Sequence, residues 1–458
     1  MRKRTVGVLV VALSTIVVGQ QPATSAGRTH VVGASSGSNA VIDWNSTAAD
    51  AALTSLMAPA LDPLHEARMY AMMHVAIHDA LNAIDRRSRP YVLSIGVLPK
   101  ASPEAAVAVA AHDVLAVALR ELPDFLAPNI DAAVQLVEGR YNAALAAIPD
   151  SKAKSQGMAI GRAAAAAILA TRADDGADSV FLDFDYPQGT EPGQFRFVEG
   201  APFAVAPKWG AVTPFVVRDI SEIRPQPPYD VTSKKYAADF NELKRLGGPD
   251  DGTSARTPDQ TQIALYWFES SPLRWNRIAR IVAQSAGLDM WESARLFGLL
   301  NMAQSDGYVA NWDSKYVYNF WRPETAVRLA DSDGNPDTAG DPTWKPLWGS
   351  SGATPEYDSG HSIEGAAAAE VMKRVFGTDH MTFSTCSYTM PVGSNCGEAS
   401  PTVRTYTSFS QAAAENGLSR ILVGWHFRTS VEIGLKRGHK IADSAVDHFM
   451  RSNHDRAD

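Results

Sequence analysis

Nowhere along this 458-residue chain do apolar and polar side chains alternate over a convincing strand length. Apolar residues recur instead at the spacing of one helix face. Met73, Ile77 and Leu81, with Ile84, form one such stripe, and Ile363, Ala367, Val371 and Val375 form another. A chain with this period must bury helical stripes against one another. The expected fold is therefore all-α. The length suffices for a large core, in one large domain or two fused bundles.

Alanine-dense helical text runs from about Ser46 to Ala170, punctuated by Pro123, Pro128 and Pro149. Residues 174–228 read differently: they are rich in Gly and Pro and carry Phe181, Phe184, Tyr186, Phe195, Phe197 and Trp209. So many aromatics predict an ordered loop region wrapped over helices, with a few short strands, rather than a linker. Helical pattern returns from Ser233 to Leu246, and again from Pro258 with Thr257 as its N-cap. Further helices are expected over 273–286 and 290–315; Lys315 and Arg322, seven residues apart, would face the same way on a helix that Pro323 ends. The stripe after Ile363 stops at Gly377, which places a helix start near Ser359. A helix from about Ser410 would carry Ser419 and Arg420 near its end, break at Gly424 and leave His426 in a turn. Thr429 and Glu432 have capping-box spacing for the last helix. The halves divide at about residue 230: 27–230 carries the loop-rich segment, and 231–458 the C-terminal helices.

The first residues read as a signal peptide covering 1–26. Arg2, Lys3 and Arg4 precede an uncharged run from Thr5 to Gly19, and small residues lead to Ala26. These 26 residues hold three basic side chains and no acidic one, so their removal takes the formal charge from −8 to −11. That charge argues against a nucleic-acid or anionic-membrane partner. No later stretch reads as a membrane span. In an exported protein, Cys386 and Cys396 are expected to close one disulfide. His74 and His78 have metal-ligand spacing but read as a polar stripe packed between helices. Asp331, Asp333, Asn335 and Asp337 imitate a calcium loop. The glycine is misplaced and the terminal glutamate absent, so this is read as a solvated loop.

Three short blocks carry the chemistry: Lys315 to Pro323, Ser359-Gly360-His361, and Ser419 to His426. Brought together, Lys315, Arg322 and Arg420 would neutralise a tetrahedral oxyanion, the arginines by planar two-point contacts. The Ser359 hydroxyl and the Gly360 amide, at a helix N-terminus, would donate to its oxygens. Two imidazoles, His361 and His426, point to chemistry as well as binding.

Lys-x6-Arg-Pro, then Ser-Gly-His, then Ser-Arg-x5-His resembles the superfamily of vanadium-dependent haloperoxidases and type-2 phosphatidic acid phosphatases. Phe320-Trp321-Arg322-Pro323, Val327-Arg328 and Pro355-Glu356-Tyr357 are closer to the haloperoxidase side. The resemblance implies two helix bundles with the oxyanion site in the second. It also implies that His426 ligates vanadium, and that Lys315, Arg322, Ser359, Gly360 and Arg420 hold vanadate oxygens. His361 would be the acid–base group, and Trp312 resembles an aromatic of the halide pocket. The partners implied are hydrogen peroxide, a halide and a small organic acceptor, for a secreted enzyme.

Phosphate has the same shape as vanadate. An acid phosphatase with His426 as nucleophile is therefore a second reading, and a non-catalytic oxyanion-binding protein a third. Three positions depart from the family. Asp358 stands where relatives usually carry proline, and a carboxylate facing the pocket would weaken anion binding. Ser430 stands where relatives often carry the aspartate that orients the second histidine, which weakens the phosphatase reading unless Glu432 substitutes. Thr354 stands where several halogenating relatives have an aromatic or histidine.

Overall fold

The computed structural model describes residues 39–453, apart from 199 and 350–352. The signal peptide expected at 1–26 lies outside the described residues. The N-terminal half contributes α1 (Ala40–Thr54), α2 (Pro63–Asn82), α3 (Pro103–Ala118), α4 (Ala127–Ala146) and α5 (Lys152–Arg172). The C-terminal half contributes α6 (Lys234–Gly247), α7 (Pro258–Tyr266), α8 (Ser271–Ala286), α9 (Met290–Tyr318), α10 (Pro323–Leu329), α11 (Gly360–Phe376), α12 (Phe409–Leu422) and α13 (Arg428–His448). The fold is all-α as expected. Two antiparallel pairs interrupt it: β1 (Leu182–Asp183) with β2 (Ala204–Val205), and β3 (Phe383–Thr385) with β4 (Arg404–Tyr406).

The helix starts follow from local chemistry. Thr257 and Gln260 form a reciprocal capping box on α7, and Asp289 and Glu292 form another on α9. Helix α9 is the axial element, buried along most of its length between α2 and α11. Residues 174–228 strap across it. Asp306 of α9 accepts the amides of Phe215, Val216 and Val217 at 2.6–2.8 Å, and Arg224 pairs with Asp313 at 2.7 Å. Helix α13 lies against the first turns of α11 because it presents Gly434 and Gly438 there. A Cβ at Gly434 would stand 2.7 Å from the Ser359 carbonyl, and one at Gly438 2.2 Å from that of Ile363.

Two boundaries differ from the sequence reading. Pro323 does not end α9: the helix stops at Tyr318, Asn319 takes a left-handed conformation (φ 49°), and Pro323 opens α10 with Arg322 as its N-cap residue. Nor do Thr429 and Glu432 form a capping box. Helix α13 begins two residues earlier, its N-cap Phe427 makes no side-chain cap bond, and the Thr429 amide goes to Asp239 at 3.0 Å.

Cys386 and Cys396 are joined, with Cα atoms 5.3 Å apart, and β3 and β4 flank the loop they close. His74 and His78 are buried against Asn45 and Ser88 respectively. No group of three or more His, Cys, Asp or Glu side chains is arranged to hold a metal among the described residues. The acidic loop satisfies itself: Asp333 accepts from the Asn335 amide and the Thr338 hydroxyl, and Asp331 from the Gly340 amide. Asp333 and Asn335 are buried, so the loop is less solvated than expected. No described helix is long and apolar enough to cross a membrane.

Candidate active site

The end of α9, the N-terminus of α11 and the turn after α12 meet at one cavity of about 320 Å³. Lys315, Arg322, Gly360, His361, Arg420 and His426 all line it. The three sequence blocks, up to 111 residues apart, thus converge. Ser359 is the exception. It is the N-cap residue of α11, fully buried, with its hydroxyl accepting from Ser362 at 2.8 Å, and it is not on the cavity wall.

The cations are held in different ways. Lys315 Nζ donates to the carbonyls of Pro355, Glu356 and Asp358 at 2.9–3.0 Å, so it organises the approach to Ser359 and shares its charge with the cavity. Arg322 donates from Nε to the Thr354 carbonyl at 2.6 Å and from a terminal nitrogen to the Thr354 hydroxyl. Arg420 is the least satisfied. It donates to the Trp267 carbonyl at 3.3 Å, and its buried Nε has no hydrogen-bond partner among the described residues. Burial lowers all three pKa values: Arg322 to about 10, Arg420 to about 9, and Lys315 well below its usual range, with Arg322 adding repulsion to the last two. An anion in the cavity would offset that cost. The orphaned Arg420 donor and the α11 N-terminus therefore fit a tetrahedral oxyanion.

His426 is oriented by a residue that the sequence reading quoted but gave no role. Its Nδ1 meets Glu356 Oε1 at 2.9 Å, the same oxygen accepts the Phe427 amide at 3.0 Å, and the Ser430 hydroxyl donates to Oε2 at 2.7 Å. A carboxylate there places the ring proton on Nδ1 and leaves the Nε2 lone pair near Arg322, 3.4 Å away. Burial pushes Glu356 up, to about 7, against the pull of Lys315 and Ser430. Burial, then Lys315 and Arg322, hold His426 well below its usual pKa, so the ring is neutral. The missing aspartate at Ser430 is thus made good by Glu356, and Glu432 is not the substitute. That removes the argument drawn from Ser430 against nucleophilic use of His426.

His361 sits in the first turn of α11 and its Nε2 lies 3.2 Å from the Glu269 carbonyl. The carbonyl can only accept, so a bound oxygen would compete with it for the Nε2 proton. Burial and Arg420 depress this ring's pKa too. Trp312 lines the cavity with its indole N–H fixed on the Val205 carbonyl at 3.1 Å. Polar residues that the sequence reading missed also line it, among them Asn311, Glu364, Ser270 and Tyr308. A Cβ at Gly360 would stand 3.0 Å from Asn311 Oδ1 and 3.1 Å from Glu364 Oε1, so only glycine fits there without displacing them. Burial raises Glu364 to about 8, which leaves it mostly protonated at neutral pH and spares the cavity a second negative charge.

Asp358 does not face the cavity. Its carboxylate accepts from Arg437, Ser314 and Asn311 at 2.8–2.9 Å, buried behind the helix start. The substitution for proline is therefore structural here, and the predicted penalty on anion binding does not arise from it.

The geometry defines a helical protein with a cationic oxyanion cavity and two neutral histidines. Residues 295–455 match the family described as the VCPO second helical-bundle domain. The chain is 24% identical to the vanadium chloroperoxidase of Curvularia inaequalis over 388 residues, covering 69% of this chain and 62% of that protein's length. The fold is that of a bacterial vanadium-dependent iodoperoxidase (TM-score 0.71, 22% identity, 90% of this chain and 98% of the other). It also matches a holo-form bacterial vanadium-dependent chloroperoxidase (TM-score 0.67, 18% identity, 89% and 97%).

Proposed function

We propose that the protein is an exported vanadium-dependent haloperoxidase. It would use hydrogen peroxide to oxidise a halide to hypohalous acid, which a small organic acceptor consumes. The observation that carries this is the cavity itself: three cations and a helix N-terminus surround a neutral His426 whose Nε2 lone pair meets a long 3.4 Å contact from Arg322 that a metal could replace. Vanadate, when bound, supplies a Lewis acid that polarises peroxide. The chain's own residues do the rest. Glu356 holds the His426 tautomer. Arg322, Arg420 and Lys315 balance the anion's charge, and the Gly360 amide donates to it. His361 handles the proton that peroxide activation consumes. Names of relatives support the chemistry, and the basic, apolar and small-residue pattern of residues 1–26 supports export.

A phosphomonoesterase remains the second reading because Glu356 gives His426 the oriented partner that a nucleophilic imidazole needs. The non-catalytic reading loses its sequence support with Asp358 turned away. Paired variants discriminate. His426→Ala should abolish vanadate binding and halide oxidation together. His361→Ala should keep measurable vanadate binding while turnover falls about 10²–10⁴-fold. Equal loss of binding in both variants would contradict the separate roles.

A further inference from the structure

Asn311 lines the cavity from α9, one helical turn before Lys315. Its side-chain amide is fixed in one orientation. Nδ2 donates to the Asp358 carbonyl and to the Asp358 carboxylate, both at 2.8 Å. Flipping the amide would set Oδ1 against two acceptor oxygens. The carboxylate is itself held, because Arg437 pairs with both of its oxygens at 2.9 Å and donates onward to the Ala310 carbonyl at 2.8 Å. Asn311 Oδ1 is therefore turned away from Asp358. It is buried and has no hydrogen-bond partner among the described residues. It stands against Gly360, the first residue of α11, where a Cβ would be 3.0 Å from it.

Other polar groups on the cavity wall adapt to what they meet. The hydroxyls of Ser270, Tyr308 and Thr354 can turn to donate or to accept. Glu364, raised by burial to about 8, is a neutral acid that can do either. His426 Nε2 carries a lone pair, but an imidazole can take up a proton and become a donor. A carboxamide oxygen only accepts. An oxyanion oxygen beside Asn311 Oδ1 must therefore carry a hydrogen. Without one, two sets of lone pairs face each other in a buried site.

Building on the oxyanion reading of the cavity, we propose that Asn311, positioned by Asp358, is a specificity-determining residue that selects tetrahedral anions bearing a proton. Monohydrogen phosphate and protonated vanadate meet that requirement. Sulfate has the shape and charge of monohydrogen phosphate but holds no proton near neutral pH. The three cations and the α11 N-terminus attract both dianions alike. Asn311 accepts a hydrogen bond from one and repels the other. The carboxylate at position 358 thus acts on the anion through Asn311, without facing the cavity.

The test is calorimetric titration of the metal-free protein with phosphate and with sulfate, at about pH 7.5 and matched ionic strength. Phosphate is then chiefly the monohydrogen dianion, and Glu364 stays mostly protonated. Wild type should bind phosphate at least about tenfold more tightly than sulfate, the size of one charge-assisted hydrogen bond. Asn311→Leu, close in volume but without the acceptor, should bring the two affinities near equality, with thermal unfolding measured to confirm that it folds. Asn311→Ser is the second variant: its hydroxyl can turn to donate to sulfate, so it too should lose the preference. Equal affinities in the wild type, or a preference for phosphate that both variants retain, overturns the proposal. Two ions bound equally refute the role of Asn311 and leave the oxyanion site standing, whereas a wild type that binds neither refutes that site as well.

Discussion

Replacing Glu356 by glutamine separates the charge of this residue from its geometry. Glutamine has the same shape. Its carbonyl oxygen can sit where Oε1 now accepts from His426 Nδ1 (2.9 Å) and the Phe427 amide (3.0 Å). Its amide then faces the Ser430 hydroxyl, which can turn to accept. The ring keeps its orientation but loses its anionic partner, and Nε2 becomes a weaker ligand. Removing such a partner typically lowers metal affinity about 10–100-fold, or about 1.4–2.8 kcal/mol. Phosphate behaves oppositely. It needs only the cations and the helix N-terminus, and losing a buried negative charge beside Lys315 and Arg322 cannot weaken it. Calorimetric titration of Glu356→Gln with each ion should therefore show weaker vanadate and undiminished phosphate binding. Parallel losses for the two ions, or unchanged vanadate affinity, would refute the reasoning. Glu356→Ala is the harsher control: it strands the His426 and Phe427 donors in the interior, at about 1–3 kcal/mol of stability each.

Arg420→Ala should weaken both vanadate and phosphate tenfold or more, from loss of a charge-assisted contact of about 1.5–3 kcal/mol; unchanged titration curves would place the anion elsewhere. Glu364 binds a proton in the folded state up to about pH 8 but in the unfolded chain only to its ordinary value near 4.5, so it removes stability as pH rises through that interval. Unfolding of wild type and Glu364→Gln, compared from pH 4.5 to 8.5, should show the wild type losing ground to the variant; a constant difference contradicts a buried neutral acid. Cys386→Ser should lower stability by about 2–4 kcal/mol by freeing a short loop, read from denaturant unfolding. Intact mass of the exported protein should place its first residue near Gly27, and a mass that includes residues 1–26 contradicts export with cleavage.

The parts of this molecule legible in its sequence are those determined by neighbours along the chain. Thr257 and Gln260, Gly377 after the α11 stripe, and Gly360 at a helix start all act within a turn or two. The convergence of Lys315, Arg322, Gly360, His361, Arg420 and His426 was legible through three ordered blocks, although α9 ends before Arg322 and the pair is not on one helix. The orientation of His426 was not legible, because it comes from a loop 70 residues earlier. The same holds for Asp358, whose partner Arg437 lies on α13. The capping-box spacing at Thr429 and Glu432 misled because the Phe427 amide already had its acceptor in Glu356 and the Thr429 amide in Asp239. The apolar part of the cavity lining is the least local feature. Leu61, Phe203 and Phe268 meet only when the strap and both halves are packed.

The central claim is that this cavity oxidises halide with vanadate rather than hydrolysing phosphoesters. The most direct measurement is peroxide-dependent bromide oxidation during titration of metal-free protein with vanadate. The account predicts activity rising linearly to one vanadate per chain and suppressed by phosphate. No bromide oxidation at saturating vanadate, together with a trapped phosphohistidine at His426, would contradict it.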